Sequence, residues 1–400
     1  SLKNSLTPQP GGLTSFQALC TSLAARVGSG NLAGVALAIS AGGPGAVFWM
    51  WATAIIGMAT SFAECSLAQL YKEKDKNGQF RGGPAWYMAR GLGMRWMGVL
   101  FSLFLLIAYG LIFNTVQANS VAHAMRYAFA CPEWITGAVL ALLTLLTIYA
   151  GLKGVARLMQ WLVPVMALLW VAASLFVTVL HIDQFPDVIA AIFKSAFGWR
   201  EAASGALGYT VSQALTAGFQ RGMFSNEAGM GSTPNAAAAA ASWPPHPAAQ
   251  GIVQMIGVFT DTIIICSASA MIILLSGPLP HPSGTVGIQL VQQALVNLVG
   301  GWGAGFVSLI VGLFAFSSIT VNYLYAENNL IFLKLDSRHS RNVLRVGVIA
   351  MIMTGALLSM PVVWQLADVI MALMAITNLT AILLLSPVVT LIAQDYLRQR

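Results

Sequence analysis

Charged residues are scarce in this chain. Only 8% of its 400 residues are Asp, Glu, Lys or Arg, whereas soluble domains carry about 25%. With 20 basic and 13 acidic residues, the chain has too few charges to cover the surface of a soluble protein of this length. The shortage excludes a soluble enzyme, a disordered protein and a nucleic-acid-binding protein. Hydrophobic residues make up 57% of the sequence, so we predict an integral membrane protein.

Motifs of enzymes and of metal sites are also lacking. The four cysteines are scattered, form no CxxC pair and mostly lie in apolar runs, so we interpret them as small apolar side chains: Cys20, Cys65, Cys131 and Cys266. The sequence contains neither HExxH nor GxSxG, and its five histidines lie mainly between the apolar runs. We therefore expect no enzymatic activity and no bound cofactor.

Long apolar runs are what the chain has instead. A helix needs about 20 apolar residues to cross a bilayer, and the runs do not alternate as the strands of a membrane barrel do. We predict one all-α transmembrane domain over residues 1–400, with ten spans numbered in chain order: 14–40, 44–71, 98–128, 134–150, 156–181, 203–242, 250–276, 302–332, 343–360 and 362–392.

The basic residues predict the orientation of these spans. Fifteen of the 20 fall on the side of the termini, and three fall on the other side, at Arg126, Lys194 and Arg200. Because Lys and Arg concentrate in cytoplasmic segments, we predict that both ends of this chain face the cytoplasm. The net charge of +7 then needs no nucleic-acid partner.

The two remaining basic residues, Arg26 and Arg221, mark an internal repeat. Each begins the same pattern: Arg, four residues, Asn, one residue, Ala-Gly. Five spans separate the two copies, and an odd number of spans inverts the second copy in the membrane. We therefore predict a five-plus-five inverted repeat, with one half at about 14–181 and the other at about 203–392.

Both copies contain residues that break helices in the middle of a span. Gly, Ser and Asn cluster at 28–31 and again at 225–231. Unwound backbone inside a bilayer is tolerated only where it lines a polar cavity. There, freed amides attract an anionic group and freed carbonyls attract a cation. Close helix packing is the alternative, which we favour for Gly42 and Gly43, but it does not explain the matched pattern. We predict that helices 1 and 6 are broken in mid-membrane around a transport site.

Several ionisable residues fall within the predicted spans. Such residues are costly in lipid and are candidates for function. Four acids offer either a proton relay or structural pairing, and we favour pairing: Glu64, Asp261, Glu327 and Asp368. We expect Arg26 and Arg221 to bridge to acids near the breaks. Glu227 lies within the second break, where it is a candidate acceptor for a substrate ammonium group.

The motifs around the breaks resemble those of the alanine/glycine:cation symporter family, and most closely its enterobacterial members. The similar stretches are VGSGNLAGVALAI, GGPGAVFWMW, YKEKDKNGQFRGGPAWYM, RGMFSNEAGMGSTPNAAAAAA and HPAAQGIVQMIGVFTDT, and the agreement continues into spans 8 and 10. The resemblance implies a LeuT-type fold in the bacterial inner membrane and uptake of a small neutral amino acid with Na⁺. Family members usually carry one further helix before this start, so we expect a fragment without that helix and without a C-terminal tail.

The resemblance also implies roles for individual residues. The amides near Ser29 and Gly30 would receive the substrate carboxylate, and Gln117 matches a pocket position. The implied substrate-binding set is Gly28, Ser29, Gly30, Asn31, Gln117, Asn226, Glu227, Gly229 and Gly231. For Na⁺, a hard cation that prefers oxygen ligands, the implied set is Ala24, Val27, Phe314, Ser317 and Ser318. The alternative for the two serines is that each hydroxyl bonds its own helix backbone.

The function expected from the sequence is import of alanine or glycine with Na⁺ by alternating access. The alternative within transport is coupling to H⁺ through Glu227 or Glu64, and a channel is a more remote possibility. The sequence does not rank alanine against glycine, serine or glutamine. It also leaves the oligomeric state open, although a monomer is compatible with it.

Overall fold

The computed structural model describes residues 11–198, 207–277 and 286–399, and helices dominate it. Seven described helices are long and apolar enough to cross a membrane. They are Gly45–Leu70, Arg95–Phe129, Gly151–Leu180, Pro247–Leu275, Trp302–Phe332, Arg338–Leu357 and Met360–Leu384. These helices occupy predicted spans 2, 3, 5, 7, 8, 9 and 10, so the all-α membrane prediction is confirmed.

Span 1 is broken in mid-membrane, as predicted. This first broken helix consists of Ser15–Arg26, a single 3-10 turn at Ser29–Asn31, and Ala33–Gly42. Its initial half begins with a capping box, in which Thr14 and Gln17 exchange hydrogen bonds of 3.1 Å.

Span 6 is broken in the same way. The second broken helix consists of Leu207–Asn226 and Thr233–Ala238, with irregular backbone between them. Three residues of this second break have left-handed backbone: Glu227 (φ +57°), Gly229 (φ +84°) and Gly231 (φ +90°). A left-handed conformation is open to glycine and rare for other residues, so this run stops the helix.

Span 4 is shorter than the others. It forms the helix Glu133–Ile148, whose 16 residues fall below the length at which a helix crosses a bilayer without tilting or thinning of the lipid. Within the part of the chain that the structure describes, seven predicted positions hold long helices, two hold broken helices and one holds this short helix.

Several boundaries and elements differ from the prediction. Predicted span 10 ran to residue 392, but the structure ends that helix at Leu384. A separate helix, Ser386–Arg398, follows, because Pro387 lies in its first turn and cannot continue the preceding helix. Several elements between spans were not predicted because they are short or amphipathic. They include a two-stranded hairpin (Glu73–Lys74 with Phe80–Arg81) and the helices Pro84–Trp86, Phe185–Ala196 and Ile288–Val299.

Some residues used in the predictions lie outside the described part of the chain. These are Lys3, Arg200 and Arg400, which entered the orientation argument, and residues 203–206 at the start of predicted span 6.

The end of span 1 that we predict to be cytoplasmic is packed closely. Leu13 pairs with the end of the second broken helix, since its amide donates to the Ala239 carbonyl at 2.9 Å and its carbonyl accepts from the Ala241 amide at 2.8 Å. The hairpin lies against the same segment, with a 3.1 Å hydrogen bond from the Phe80 amide to the Gly11 carbonyl. This contact region joins the beginning of the first broken helix to the end of the second broken helix at one end of the protein.

Candidate functional site

Carbonyl and hydroxyl oxygens converge where the first half of span 1 ends. The Ser318 hydroxyl lies 2.9 Å from the Ala24 carbonyl oxygen and 3.2 Å from that of Val27. Ser317 lies 3.2 Å from the Ala24 carbonyl and 2.8 Å from that of Phe314. The structure thus brings together all five residues of the sodium set implied by the sequence. The bond from Ser317 to Phe314 lies within its own helix. The alternative that a serine hydroxyl bonds its own helix backbone therefore applies to one of the two Ser317 contacts.

Two glycines of the first break are required by close approach. A Cβ atom at Gly28 would overlap the Ser318 hydroxyl and would lie 2.7 Å from the Gln117 side-chain oxygen. At Gly30 it would lie 2.9 Å from the Phe224 ring. Real Cβ atoms do not approach so closely, so a larger residue at Gly28 would displace Ser318 and Gln117, and one at Gly30 would displace Phe224.

Gln117 lies against the first break, as expected. Its Oε1 accepts a 2.8 Å hydrogen bond from the Ser29 amide, which is one of the amides implied for the substrate carboxylate. Two polar groups nearby in the breaks are buried and have no partner among the described residues: the Ser29 hydroxyl and the Asn226 side-chain nitrogen. Buried polar groups normally find partners, so these atoms mark places where a polar ligand would fit.

An aromatic cluster covers this region, and sequence reasoning missed it. The Phe224 ring lies 5.4 Å from Phe113 and 4.9 Å from Trp364, measured between ring centroids. Span 3 supplies Phe113 and span 10 supplies Trp364, so three separate helices meet over Gly30. No sequence signal distinguishes these rings from aromatic residues that face lipid.

Arg221 and Asp368 form an ion pair beside the aromatic cluster, as expected for Arg221. The Arg221 guanidinium also lies over the Trp364 ring, 4.7 Å from its centroid. Gln220 adds a 3.3 Å hydrogen bond to the other Asp368 oxygen. This pair connects the second broken helix to span 10.

The corresponding expectation for Arg26 is wrong. Its guanidinium donates to the Thr233 hydroxyl at 3.0 and 3.2 Å and to the Gln254 carbonyl at 3.3 Å. Within the described ranges it forms no ion pair. Two neutral oxygens, the Thr233 hydroxyl of the second broken helix and the Gln254 carbonyl of span 7, therefore hold this charge, and Arg26 connects the two broken helices directly.

Asp261 in span 7 holds both breaks. Its carboxylate accepts hydrogen bonds from the Asn31 amide group at 2.8 Å and from the Ser225 hydroxyl at 2.9 Å. Thr262 donates a third bond at 2.9 Å. Asn31 in turn accepts from the Gly28 amide at 3.0 Å. The Asn31 side chain, which belongs to the implied substrate-binding set, therefore holds the backbone of the first break. These contacts agree with the structural role that we favour for Asp261.

Glu64 in span 2 has the corresponding place at the second break. It accepts from the Gly229 amide at 3.2 Å and from the Asn378 side chain at 2.8 Å. Asn378 also donates to the Gly229 carbonyl at 2.9 Å, and Tyr87 bonds Asn378. Glu64 thus also has the structural role that we favoured. We call Glu64 and Asp261 the carboxylate braces, because each holds the broken helix of the opposite repeat.

Glu227 is buried in the second break, and its carboxylate accepts a 2.7 Å hydrogen bond from Ser232. The Tyr109 hydroxyl interacts with the Glu227 carboxylate and with Ser232. The Tyr325 ring lies 5.6 Å from the Tyr109 ring, and its buried hydroxyl has no hydrogen-bond partner among the described residues. A carboxylate oxygen accepts more than one hydrogen bond, so Glu227 retains capacity for a further polar ligand.

The structure separates other predicted residues from the aromatic cluster. Gly229 has its amide and carbonyl engaged by Glu64 and Asn378, and Gly231 packs against Phe101 and Pro84. Their assignment to the substrate stays a prediction. Glu327 is only half-buried and forms no ion pair with a described residue. Asn378 was missed, although a single Asn in an otherwise apolar run was a signal that could have found it.

A cavity of about 150 Å³ adjoins the aromatic cluster at the end of the protein opposite the Leu13 contact. Ala33 of the first broken helix, Asn119 and His123 of span 3, and Trp364 are among the residues that line it. The described residues contain no group of three or more His, Cys, Asp or Glu side chains that could hold a metal ion. Carbonyl and hydroxyl oxygens are thus the donors that this site offers to a cation.

Comparison with known proteins agrees with this geometry. The model of the sodium:alanine symporter family matches residues 2–400. The YaaJ transporter of Escherichia coli K12 is 71% identical over 400 residues, which cover 100% of this chain and 84% of that protein. The probable sodium/glutamine symporter GlnT of Bacillus subtilis is 48% identical, covering 100% of this chain and 80% of GlnT. The sodium/alanine symporter AgcS of Methanococcus maripaludis is 39% identical, covering 95% and 83%.

The fold is shared with more distant transporters. The crystal structure of MhsT in complex with L-phenylalanine superposes with a TM-score of 0.63 at 16% identity, covering 93% of this chain and 89% of MhsT. MhsT has the LeuT-type fold, so the predicted fold is confirmed. The matching family consists of transporters, which agrees with the expectation that the protein is not an enzyme. On the family match over nearly its whole length, the chain belongs to the sodium:alanine symporter family.

Proposed function

We propose that this protein imports alanine or glycine together with Na⁺ across the bacterial inner membrane by alternating access. The family and the relatives make it a sodium-coupled amino-acid symporter. The narrower assignment of substrate, ion site and direction is our inference, as are the cytoplasmic termini.

The observation that carries the proposal is the oxygen cluster formed by Ala24, Val27, Phe314, Ser317 and Ser318. Hydroxyls of span 8 meet the carbonyls that the first break leaves without helical partners, at 2.9–3.2 Å. These are neutral oxygen donors of the kind that a hard monovalent cation accepts. In this proposal Na⁺ replaces the hydroxyl protons as the partner of the carbonyls, and thereby stabilises the contact between spans 1 and 8.

The substrate is proposed to bind next to this cluster, between the first break and Gln117. Its carboxylate would take the Ser29 amide and hydroxyl, and Gln117 would rotate to meet it. The Phe224 ring lies against Gly30 and leaves little room for a side chain. This crowding favours alanine or glycine as the substrate. It disfavours glutamine, the amino acid that the name of the relative GlnT suggests.

Coupling to H⁺ through Glu64, or a proton relay through Asp261, is less well supported by the contacts. A proton carrier must exchange its proton with water during the cycle. Both oxygens of Glu64 and both oxygens of Asp261 accept hydrogen bonds from N–H or hydroxyl donors of other helices or of the adjacent residue. Protonation would disrupt contacts that hold the two breaks, so these acids suit a structural role better.

Uptake into proteoliposomes tests the proposal. We expect an inward Na⁺ gradient to drive accumulation of radiolabelled alanine, with unlabelled glycine competing and glutamine competing weakly. A pH gradient without Na⁺ is expected to drive no accumulation. Accumulation under the pH gradient alone would overturn the sodium assignment, and equal competition by glutamine would overturn the substrate assignment.

A further inference from the structure

A cleft of about 410 Å³ opens at the end of the protein that we predict to be cytoplasmic, away from the transport site. It lies between the end of span 2, the hairpin and the segment that joins the second broken helix to span 7. The volume is many times the roughly 30 Å³ that one water molecule takes in the liquid. The cleft is thus large enough for an organic group.

Lys72 lines this cleft and has no counter-ion among the residues that the structure describes. Its ammonium donates to the Gln69 side-chain oxygen at 2.8 Å and to the Ala240 carbonyl at 2.9 Å, and it lies 3.8 Å from the centre of the Phe80 ring. All of these partners are neutral. Burial lowers the pKa of Lys72 to about 8, and the nearby charge of Lys74 contributes. A partly buried cation without a counter-ion is costly.

The acids near this cleft are already paired with other residues. Three carboxylates are the candidates, and each has its own partner: Glu73 with Trp86 and Arg90, Asp75 with Arg81, and Asp395 with His246. Among the described residues, neither Lys72 nor Lys74 forms an ion pair. The cleft therefore has an excess of positive charge.

A second observation points to a ligand in the cleft. Ser242 is only 8% exposed, lines the same cleft, and has a buried hydroxyl with no hydrogen-bond partner. A hydroxyl in this position would donate to an acceptor that the described chain does not supply. An ammonium and a hydroxyl donor in one cleft suit an oxyanion that accepts from both.

The rim of the cleft is apolar and lies at the end of two membrane spans. Trp243 is 50% exposed and Leu70 is 42% exposed. Tryptophan is enriched at the level of lipid headgroups, and basic pockets between helices on the cytoplasmic side bind anionic headgroups. An oxyanion that carries acyl chains would place its phosphate on Lys72 and its apolar part against these side chains.

We propose that this cleft binds the phosphate headgroup of an anionic phospholipid, with Lys72 and Ser242 as its donors. The proposal is independent of the substrate and of the coupling ion, and it depends on the predicted orientation only for the leaflet that supplies the lipid. Binding there would fill a cleft between span 2 and the end of the second broken helix.

Native mass spectrometry of the detergent-solubilised protein tests the proposal. The protein is titrated with phosphatidylglycerol, with phosphatidylcholine and, in a separate arm, with inorganic phosphate. We expect a saturable phosphatidylglycerol adduct whose affinity falls about tenfold in Lys72→Gln, the scale of a lost charge-assisted hydrogen bond. Ser242→Ala is expected to lower the affinity severalfold. Because the Ser242 hydroxyl has no partner in the protein, this variant keeps the test informative if Lys72→Gln folds poorly.

Lys153→Gln is the matched control, since it removes one positive charge on the same predicted side without touching the cleft. Equal phosphatidylglycerol binding by all four proteins would overturn the proposal, as would an equal loss in Lys153→Gln. In a further outcome, inorganic phosphate binds in a way that depends on Lys72 and Ser242, and phosphatidylglycerol does not bind. That outcome would retain the oxyanion site but overturn the lipid as its ligand.

Discussion

Replacing Ser318 with alanine perturbs the proposed sodium site most directly. The Ser318 hydroxyl lies 2.9, 3.1 and 3.2 Å from the carbonyl oxygens of Ala24, Ala25 and Val27. The substitution therefore removes one of the five proposed ligands without changing the backbone. A contact between a polar group and a charge contributes about 1.5–3 kcal/mol. We expect the Na⁺ concentration for half-maximal alanine uptake to rise by about 10- to 100-fold.

The assay is the initial rate of alanine uptake into proteoliposomes as a function of external Na⁺. Thr320→Val is the matched control, because Thr320 lies two residues further along the same helix and its hydroxyl bonds only its own backbone, at 2.8 Å to Phe316. Thermal unfolding without Na⁺ separates a loss of the ion from a loss of structure. An unchanged Na⁺ dependence in Ser318→Ala, or the same shift in Thr320→Val, would refute the reasoning.

Other predictions follow from the remaining contacts. Glu227→Gln should weaken alanine binding at least tenfold in a scintillation proximity assay, since the proposed partner of the substrate ammonium loses its charge; unchanged affinity would remove Glu227 from the substrate site. Asp261→Asn should lower the unfolding temperature, because its NH₂ group would replace one acceptor oxygen and face either the Asn31 amide or the Ser225 and Thr262 hydroxyls, and a stability equal to that of the original protein would contradict the structural role. Asp368→Asn should change the uptake rate but leave the Na⁺ dependence unaltered, because this acid pairs with Arg221; a shifted Na⁺ dependence would count against separate sites.

The breaks in the two helices could be predicted from the sequence because their cause is local. Gly28 and Gly30 are poor helix formers inside an apolar run, and the repeat placed the second break at an equivalent position. The proposed sodium set came from the resemblance to a family and stays a prediction, although the structure brings its five residues together. Ser317 and Ser318 are unremarkable serines in span 8 until the fold places them against Ala24.

Partners across helices could not be predicted, because they depend on how each helix is rotated in the packed structure. Arg26 and Arg221 begin the same sequence pattern, yet their partners differ. Arg221 forms an ion pair with Asp368, whereas Arg26 donates hydrogen bonds to the Thr233 hydroxyl and the Gln254 carbonyl. The contact between Phe224 and Trp364 over Gly30 could not be predicted either, because it also depends on how the helices are rotated. Charge and spacing identify candidates for contact, and packing decides between them.

The two carboxylate braces show why the inverted repeat matters for transport. Counted from the two matched arginines, Glu64 and Asp261 occupy equivalent positions of the repeats to within two residues. Glu64 of span 2 holds the break of span 6, and Asp261 of span 7 holds the break of span 1. Spans 1, 2, 6 and 7 are thereby joined at their weakest backbone segments.

A conformational change that separated these four spans would leave buried polar groups without partners, which costs free energy for each group. We therefore infer that the four spans move together and that the transition occurs at their boundary with the other helices. The proposed sodium site lies on that boundary, because Ala24 belongs to span 1 and Ser318 belongs to span 8. A Na⁺ ion at the proposed site would be bound by both sides and would therefore stabilise the closed boundary more than the open one, and such differential binding is what an ion needs in order to shift a conformational equilibrium.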